Sequence, residues 1–153
     1  MMDKKIGVIS DTHGFLRTEV KEWFNDVDLI IHAGDVGNIQ VLEELKAIAP
    51  VVAVRGNVDR DDLTKKLASW ELIEIGNKSI YIIHNIDMID IEPKDVNIDM
   101  VVFGHSHVAE EKTIEGVLYL NPGSAGPKRF LLPSTAAILQ IEDNNITIKF
   151  INL

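Results

Sequence analysis

Three short apolar runs in the first half of the chain, Lys5–Ser10, Asp28–Ala33 and Val51–Arg55, are separated by two segments of helical periodicity. Arg17–Val27 carries Val20, Trp23, Phe24 and Val27 on one stripe. Ile39–Ala49 carries Val41, Leu42, Leu45 and Ile48, with Pro50 beyond its end. This order, βαβαβ, restricts the first half to an α/β arrangement. The pattern then changes. After a short helix expected over Asp61–Ala68, Glu71–Ile75 and Ser79–His84 read as a hairpin around Gly76–Lys78. Strands are expected at Asp99–Phe103, Val117–Asn121, Thr135–Glu142 and Ile146–Ile151, the last two joined through Asp143–Asn145. A βαβαβ half followed by a mostly β half predicts two packed sheets with helices outside. No repeat or linker divides the 153 residues, so residues 1–153 are read as one domain.

Composition narrows the chemistry. A hydrophobic content of 46% is that of a globular chain. No window approaches the roughly 18 consecutive apolar residues of a membrane span. The start, MMDKKIGVIS, lacks the long apolar stretch of a signal peptide, and a cytoplasmic location is expected. There is no cysteine, so any metal must be held by oxygen and nitrogen. The net charge of -9 argues against general nucleic-acid binding. It leaves room for a small phosphate ester at a locally positive site, because bound metal ions add charge that residue counts omit.

The apolar runs end alike. Asp11 and His13 follow the first, Asp35 the second and Asn57 the third; His84 ends a fourth, and His105 and His107 follow a fifth. The carboxyl edge of an open α/β sheet is where ligands bind. Taken singly, an Asp or Asn after a strand is a turn residue and a buried His a hydrogen-bonded core group; five coincident strand ends resist that reading. Asp11/His13 and His105/His107 are i, i+2 pairs, which an extended segment points to one side. Gly34, Gly56 and Gly104 allow close approach of the backbone. Two carboxylates, one amide and four imidazoles suit Mn, Fe, Zn, Co or Ni better than Ca. Seven donors exceed the needs of one ion and suit two, with Asp35 the natural bridge, one oxygen to each ion. His32 lies inside its strand and is read as orienting a ligand.

These motifs resemble the calcineurin-like metallophosphoesterases: Asp11-Thr12-His13-Gly14 is similar to their D-x-H motif, Gly34-Asp35 to GD, Gly56-Asn57 to GN and Gly104-His105-Ser106-His107 to GHxH. Asn121-Pro122-Gly123-Ser124 resembles the NPGS turn of the small YfcE-type phosphodiesterases of bacteria and archaea. The resemblance implies a four-layer α/β/β/α sandwich of two mixed sheets around a dinuclear centre. One ion would take Asp11, His13, Asp35 and His107, the other Asp35, Asn57, His84 and His105. It implies hydrolysis of phosphodiesters or phosphomonoesters by a metal-bound hydroxide, with Asp35, Asn57 and His105 acting through it. Two divalent ions are expected, manganese favoured, with nickel, zinc, iron or magnesium as alternatives. The expected partner is a small phosphate ester, without membrane association; a homo-oligomer is left open.

Two positions depart from the family. Where many members have a proton-donating histidine after the GN asparagine, this chain has Val58, followed by Asp59 as a substitute acid. Where the family often shows His-Gly, this chain has His84-Asn85. Arg55, Lys128 and Arg129 are candidates for holding substrate phosphate. Asn121 and Ser124 read as structural, and Trp23, Phe24 and Trp70 as packing. The alternative to an enzyme is a catalytically weak metal-binding scaffold for protein partners, like the retromer subunit of this fold.

Overall fold

The computed structural model describes residues 3–127 and 132–153. The first sheet has five strands. Its parallel centre is β1 (Lys4–Ile9), β2 (Leu29–His32) and β3 (Val51–Ala53), joined by α1 (Thr18–Trp23) and α2 (Ile39–Lys46). β9 (Thr135–Glu142) pairs antiparallel with β1, and β10 (Asn145–Asn152) with β9. The second sheet comprises β4 (Trp70–Ile75), β5 (Lys78–Ile83), β6 (Met100–Val102), β7 (Glu110–Ile114) and β8 (Val117–Asn121), in the order β4-β5-β6-β8-β7. Here β5, β6 and β8 run parallel, while β4 and β7 form antiparallel edges.

The layers follow from strand periodicity. Ile6 and Val8 of β1 pack with Ile31, Ile80, Ile82, Met100 and Leu139 in a core shared by both sheets. Ile9 and Ile30 point the other way, against Val20 and Phe24 on the α1 side and Leu42 and Leu45 of α2. On the far face of the second sheet, Tyr81, Ile83, Val101 and Phe103 are covered by residues such as Ile86, Ile89 and Ile98. The expected sandwich of two mixed sheets is present, but this last layer is built around the short 3-10 turns Ile86–Met88 and Pro93–Val96 rather than long helices. No helix among the described residues is long and apolar enough to cross a membrane.

Three elements differ from expectation. The helix foreseen over Arg17–Val27 is α-helical only over Thr18–Trp23, because Phe24 closes it and the chain turns back through Asn25 and Asp26. The helix foreseen over Asp61–Ala68 is one 3-10 turn, Thr64–Lys66, with Asp61 Oδ1 accepting the Leu63 and Thr64 N–H groups and the Thr64 hydroxyl. β7 was not foreseen. Its sequence, Glu-Glu-Lys-Thr-Ile, shows no apolar alternation because it is an edge strand with little burial, and its charges discourage further pairing.

Candidate metal centre

The carboxyl ends of β1, β2, β3, β5 and β6 deliver their polar residues to one rim. The loops after β1 and β2 continue side by side: the N–H groups of Asp11, His13 and Gly14 donate to the carbonyls of Gly34 (3.0 Å), Asp35 (3.0 Å) and Val36 (2.7 Å). This ladder holds an unusual backbone. Asp11, His13, Asp35, His105 and His107 all have positive φ, between 50° and 72°, and are five of the eight described non-glycine residues in that region. The i, i+2 pairs are therefore set by left-handed turns, not by the extended backbone expected from the sequence: Asp11 and His13 reach one cluster, whereas His107 joins His13 and His105 turns to His84. Each such residue costs about 1 kcal/mol or more, and such strain concentrates at functional sites. Glycine admits the closest approaches. A Cβ on Gly34 (φ +104°) would sit 2.7 Å from His84 Nδ1, and one on Gly104 would collide with the Ser10 hydroxyl and approach Asp11 Oδ2 to 2.8 Å.

Five side chains form the centre. Asp11 Oδ1 lies 3.3 Å from His107 Nε2, 3.8 Å from His13 Nε2 and 3.9 Å from His84 Nε2. Asp35 Oδ2 lies 3.2 Å from His84 Nε2 and 3.8 Å from His13 Nε2. Two ligand groups result, Asp11/His13/His107 and Asp11/Asp35/His84, each with its donor atoms within 4.8 Å of one another. Asp11 is common to both. The His13 and His107 rings stand together with centroids 5.4 Å apart. On the other side, His105 stands edge-on to His84, with centroids 5.3 Å apart.

Each carboxylate turns one oxygen to the cluster. Asp11 Oδ2 accepts the Ser10 hydroxyl (2.7 Å) and the His105 N–H (3.2 Å). Asp35 Oδ1 accepts the Val58 N–H (2.9 Å), so only Oδ2 faces the imidazoles. The two Asp35 oxygens thus have different surroundings, Oδ2 among the imidazoles and Oδ1 on the Val58 N–H. Burial works to raise the Asp11 carboxyl, but His107, His13, Ser10 and His84 outweigh it and hold it well below the usual carboxylate range. Asp35 is lowered likewise: burial opposes, while His84 and the Val58 N–H prevail. For His84, burial disfavours the charged ring, yet Asp35, Asp11 and the Ala33 carbonyl raise its pKa.

This arrangement fits a cation. His84 Nδ1 donates to the Ala33 carbonyl (2.8 Å), so a neutral ring aims its Nε2 lone pair at two carboxylates. His84 Nε2 and Asp11 Oδ1 are buried without a hydrogen-bond partner. Acceptors facing acceptors away from water require a proton or a metal ion between them. Mixed carboxylate and imidazole donors suit a divalent transition metal.

Supporting residues hold the loops. His32 is fully buried: Nδ1 accepts the Gly34 N–H (3.1 Å), so Nε2 carries the hydrogen and donates to Thr12 Oγ1 (2.9 Å), which donates to the Val36 carbonyl (2.8 Å). Burial lowers its pKa to about 4 against the opposing pull of Asp11 and Asp59. Asp59 differs from its expected part as a substitute acid. It is 2% exposed, and its oxygens accept the N–H groups of Val36 (3.2 Å), Gly37 (2.9 Å) and Gly56 (2.8 Å), pinning the loops after β2 and β3 together. Asn121 Nδ2 donates to the Gly104 carbonyl and Ser106 Oγ, and Ser124 donates to the Asp11 carbonyl. Ser10, Thr12 and the Val58 N–H escaped sequence reasoning. Only the polar Ser-Asp-Thr step after a buried run hinted at the first two.

The remaining candidates lie outward. Asn57 and Arg55 are exposed and line a groove that reaches His84. Arg55 Nη1 donates to the Lys65 carbonyl (3.1 Å). Val58 is 46% exposed. Asn85 does not disturb His84: its φ of -111° needs no glycine, and its side chain caps the following turn by accepting the Asp87 N–H. Lys128 and Arg129 lie outside the described residues.

The chain is similar to known proteins in sequence and in fold. A family model described as the calcineurin-like phosphoesterase superfamily domain matches residues 4–144. The chain is 38% identical over 152 residues to the probable metallophosphoesterase MJ0623 of Methanocaldococcus jannaschii, covering 90% of this chain and 76% of that one. A solved structure described as a novel archaeal phosphodiesterase superposes with a TM-score of 0.80 at 26% identity, covering 97% of this chain and 99% of that one. Vacuolar Protein Sorting 29 from Cryptosporidium parvum superposes with a TM-score of 0.78 at 18% identity, covering 100% and 99%, a likeness of fold alone.

Proposed function

The chain belongs to the calcineurin-like phosphoesterase superfamily, and from that premise we propose that it is a phosphodiesterase working with two divalent metal ions, manganese favoured. The observation that carries the reading is the buried pair of bare acceptors, Asp11 Oδ1 and His84 Nε2, set among two carboxylates and further imidazoles. In this reading Asp11, His13, Asp35 and His107 hold one ion, and Asp35, Asn57, His84 and His105 the other. In that division Asp35 would serve both sets, its Oδ2 standing 3.8 Å from His13 Nε2 and 3.2 Å from His84 Nε2, and Asp11 Oδ1 stands likewise among His13, His107 and His84. Bound there, the ions supply Lewis acidity and activate water, the chemistry of phosphoester hydrolysis.

The chain's own residues prepare that centre. The Ala33 carbonyl fixes the His84 tautomer, Ser10 and the His105 N–H turn Asp11, and the Val58 N–H turns Asp35. Arg55, at the groove, is assigned to the substrate phosphate, its fork suited to two oxygens. The Val58 side chain has no proton for a departing alkoxide, so diesters with stabilised leaving groups are the favoured substrates. Val58 also favours the scaffold alternative, whereas the buried carboxylates opposed to imidazole lone pairs favour the enzyme.

The test is metal loading with turnover. Protein titrated with Mn²⁺ is expected to approach two ions per chain, and to hydrolyse bis(p-nitrophenyl) phosphate with Mn²⁺, Ni²⁺ or Mg²⁺ but not after chelation. A firm plateau at one ion overturns the dinuclear assignment. Metal binding without turnover of any phosphoester overturns the enzyme.

A further inference from the structure

An open groove of about 390 Å³ runs from the metal centre along the β4 edge of the second sheet. Its inner end is made by His84 and Asn57, and Arg55 lies beside them. Its outer part is made by Trp70 and Met88, with Asn85 and Asp90 as polar neighbours. Trp70 lies nearly parallel to Tyr81, with ring centroids 5.4 Å apart and planes 18° apart. Tyr81 is buried, whereas Trp70 is 50% exposed and Met88 71%. The sequence suggested that Trp70 is a packing residue. In the structure the indole stacks on Tyr81, both rings line the groove, and Trp70 stays half exposed.

We propose that this groove is a subsite for a planar aromatic arm of the phosphodiester, stacked on Trp70 while its phosphate meets Arg55 and the metal centre. The proposal rests on the phosphodiesterase reading and adds the class of substrate. Three features converge. A rigid indole stacks on any flat ring at little entropic loss, and Met88 adds a polarisable contact. The groove is continuous with the centre through His84 and Asn57, so one ligand can span both. Its volume is at the low end of the roughly 300–1,000 Å³ of small-molecule sites. It holds one nucleoside-sized group, in keeping with a net charge of -9 that repels long nucleic acid. The arm is a nucleobase or a simple aryl ring.

Equilibrium binding to the Mn²⁺-loaded protein distinguishes these, with AMP, phenyl phosphate and ribose 5-phosphate as probes. Base stacking on an aromatic side chain is worth about 5- to 150-fold in affinity. AMP is therefore expected to bind more tightly than ribose 5-phosphate by that ratio. Trp70→Ala should bring the ratio within about twofold without changing the affinity for ribose 5-phosphate, and Trp70→Phe should keep most of the ratio. Phenyl phosphate matching AMP assigns any aryl arm; a clear deficit assigns a nucleobase, whose edge Asn85 and Asp90 can read. Equal affinities for AMP and ribose 5-phosphate in the wild type, or an unchanged ratio in Trp70→Ala, overturn the subsite and leave the phosphoesterase reading standing. Failure of all three probes, with no hydrolysis of bis(p-nitrophenyl) phosphate, overturns both.

Discussion

Replacing Asp59 by Asn separates a structural brace from a proton donor. In the wild type one oxygen, Oδ2, accepts the Val36 and Gly56 N–H groups at 3.2 and 2.8 Å, while Oδ1 accepts the Gly37 N–H at 2.9 Å. The amide keeps one carbonyl oxygen, best placed at Oδ2. Its NH₂ then faces the Gly37 N–H, donor against donor. Hydrogen bonds to charged groups are worth about 1.5–3 kcal/mol and neutral ones about 0.5–1.5, so two weakened bonds lose about 2 kcal/mol together. The stranded, partly buried Gly37 N–H adds about 1 kcal/mol. For a domain of this size the sum of about 3 kcal/mol lowers Tm by roughly 6–12 °C. The assay is thermal unfolding of metal-stripped wild type and Asp59→Asn, followed by circular dichroism, with Mn²⁺ affinity measured alongside. Affinity should fall, because the braced residues adjoin Asp35 and Asn57. An unchanged Tm with a rate lost only on esters of poor leaving groups would refute the brace and restore Asp59 as the acid.

With Val58 after Asn57, hydrolysis should fall steeply as leaving-group pKa rises, and Val58→His should recover part of the rate on alkyl diesters; a flat dependence with rate-limiting chemistry would point to another proton source. Asp35→Ala is expected to harm turnover more than any other ligand change and His32→Ala less; equal wild-type behaviour of both would refute the bridge. His32 also sets an acid limit. Its pKa is depressed to about 4 from 6.5, so the unfolded chain binds the extra proton between those values. Its contribution is intact above pH 6.5 and fades as pH falls through 4, by about 3 kcal/mol in total. Urea midpoints of metal-stripped wild type and His32→Asn should therefore diverge above pH 6.5 relative to pH 4, and parallel curves would refute the assignment.

The sequence by itself determined the strands that carry the centre and the residues at their ends. β1, β2, β5 and β6 are buried apolar runs, a local signal, and each stops at polar or glycine-punctuated loops. β9 begins and ends at Thr135 and Glu142 as expected, while the turn expected over Asp143–Asn145 is shorter, because Asn145 already pairs with Glu142. What is non-local was out of reach. β9 inserts beside β1 although some 125 residues separate them, and β7 exists only because β8 offers it an edge. The left-handed turns at Asp11, His13 and Asp35 are held by a ladder between two distant loops, so no neighbour in sequence announces them. Which oxygen of Asp35 faces the cluster is decided by the Val58 N–H, and which nitrogen of His84 by the Ala33 carbonyl. Trp70 reads as core from its chemistry; its place on an edge strand, stacked on Tyr81 from the next strand, turns it toward the groove. Ligand identity is written in side-chain type, whereas ligand orientation depends on hydrogen bonds between segments that only the folded chain brings together.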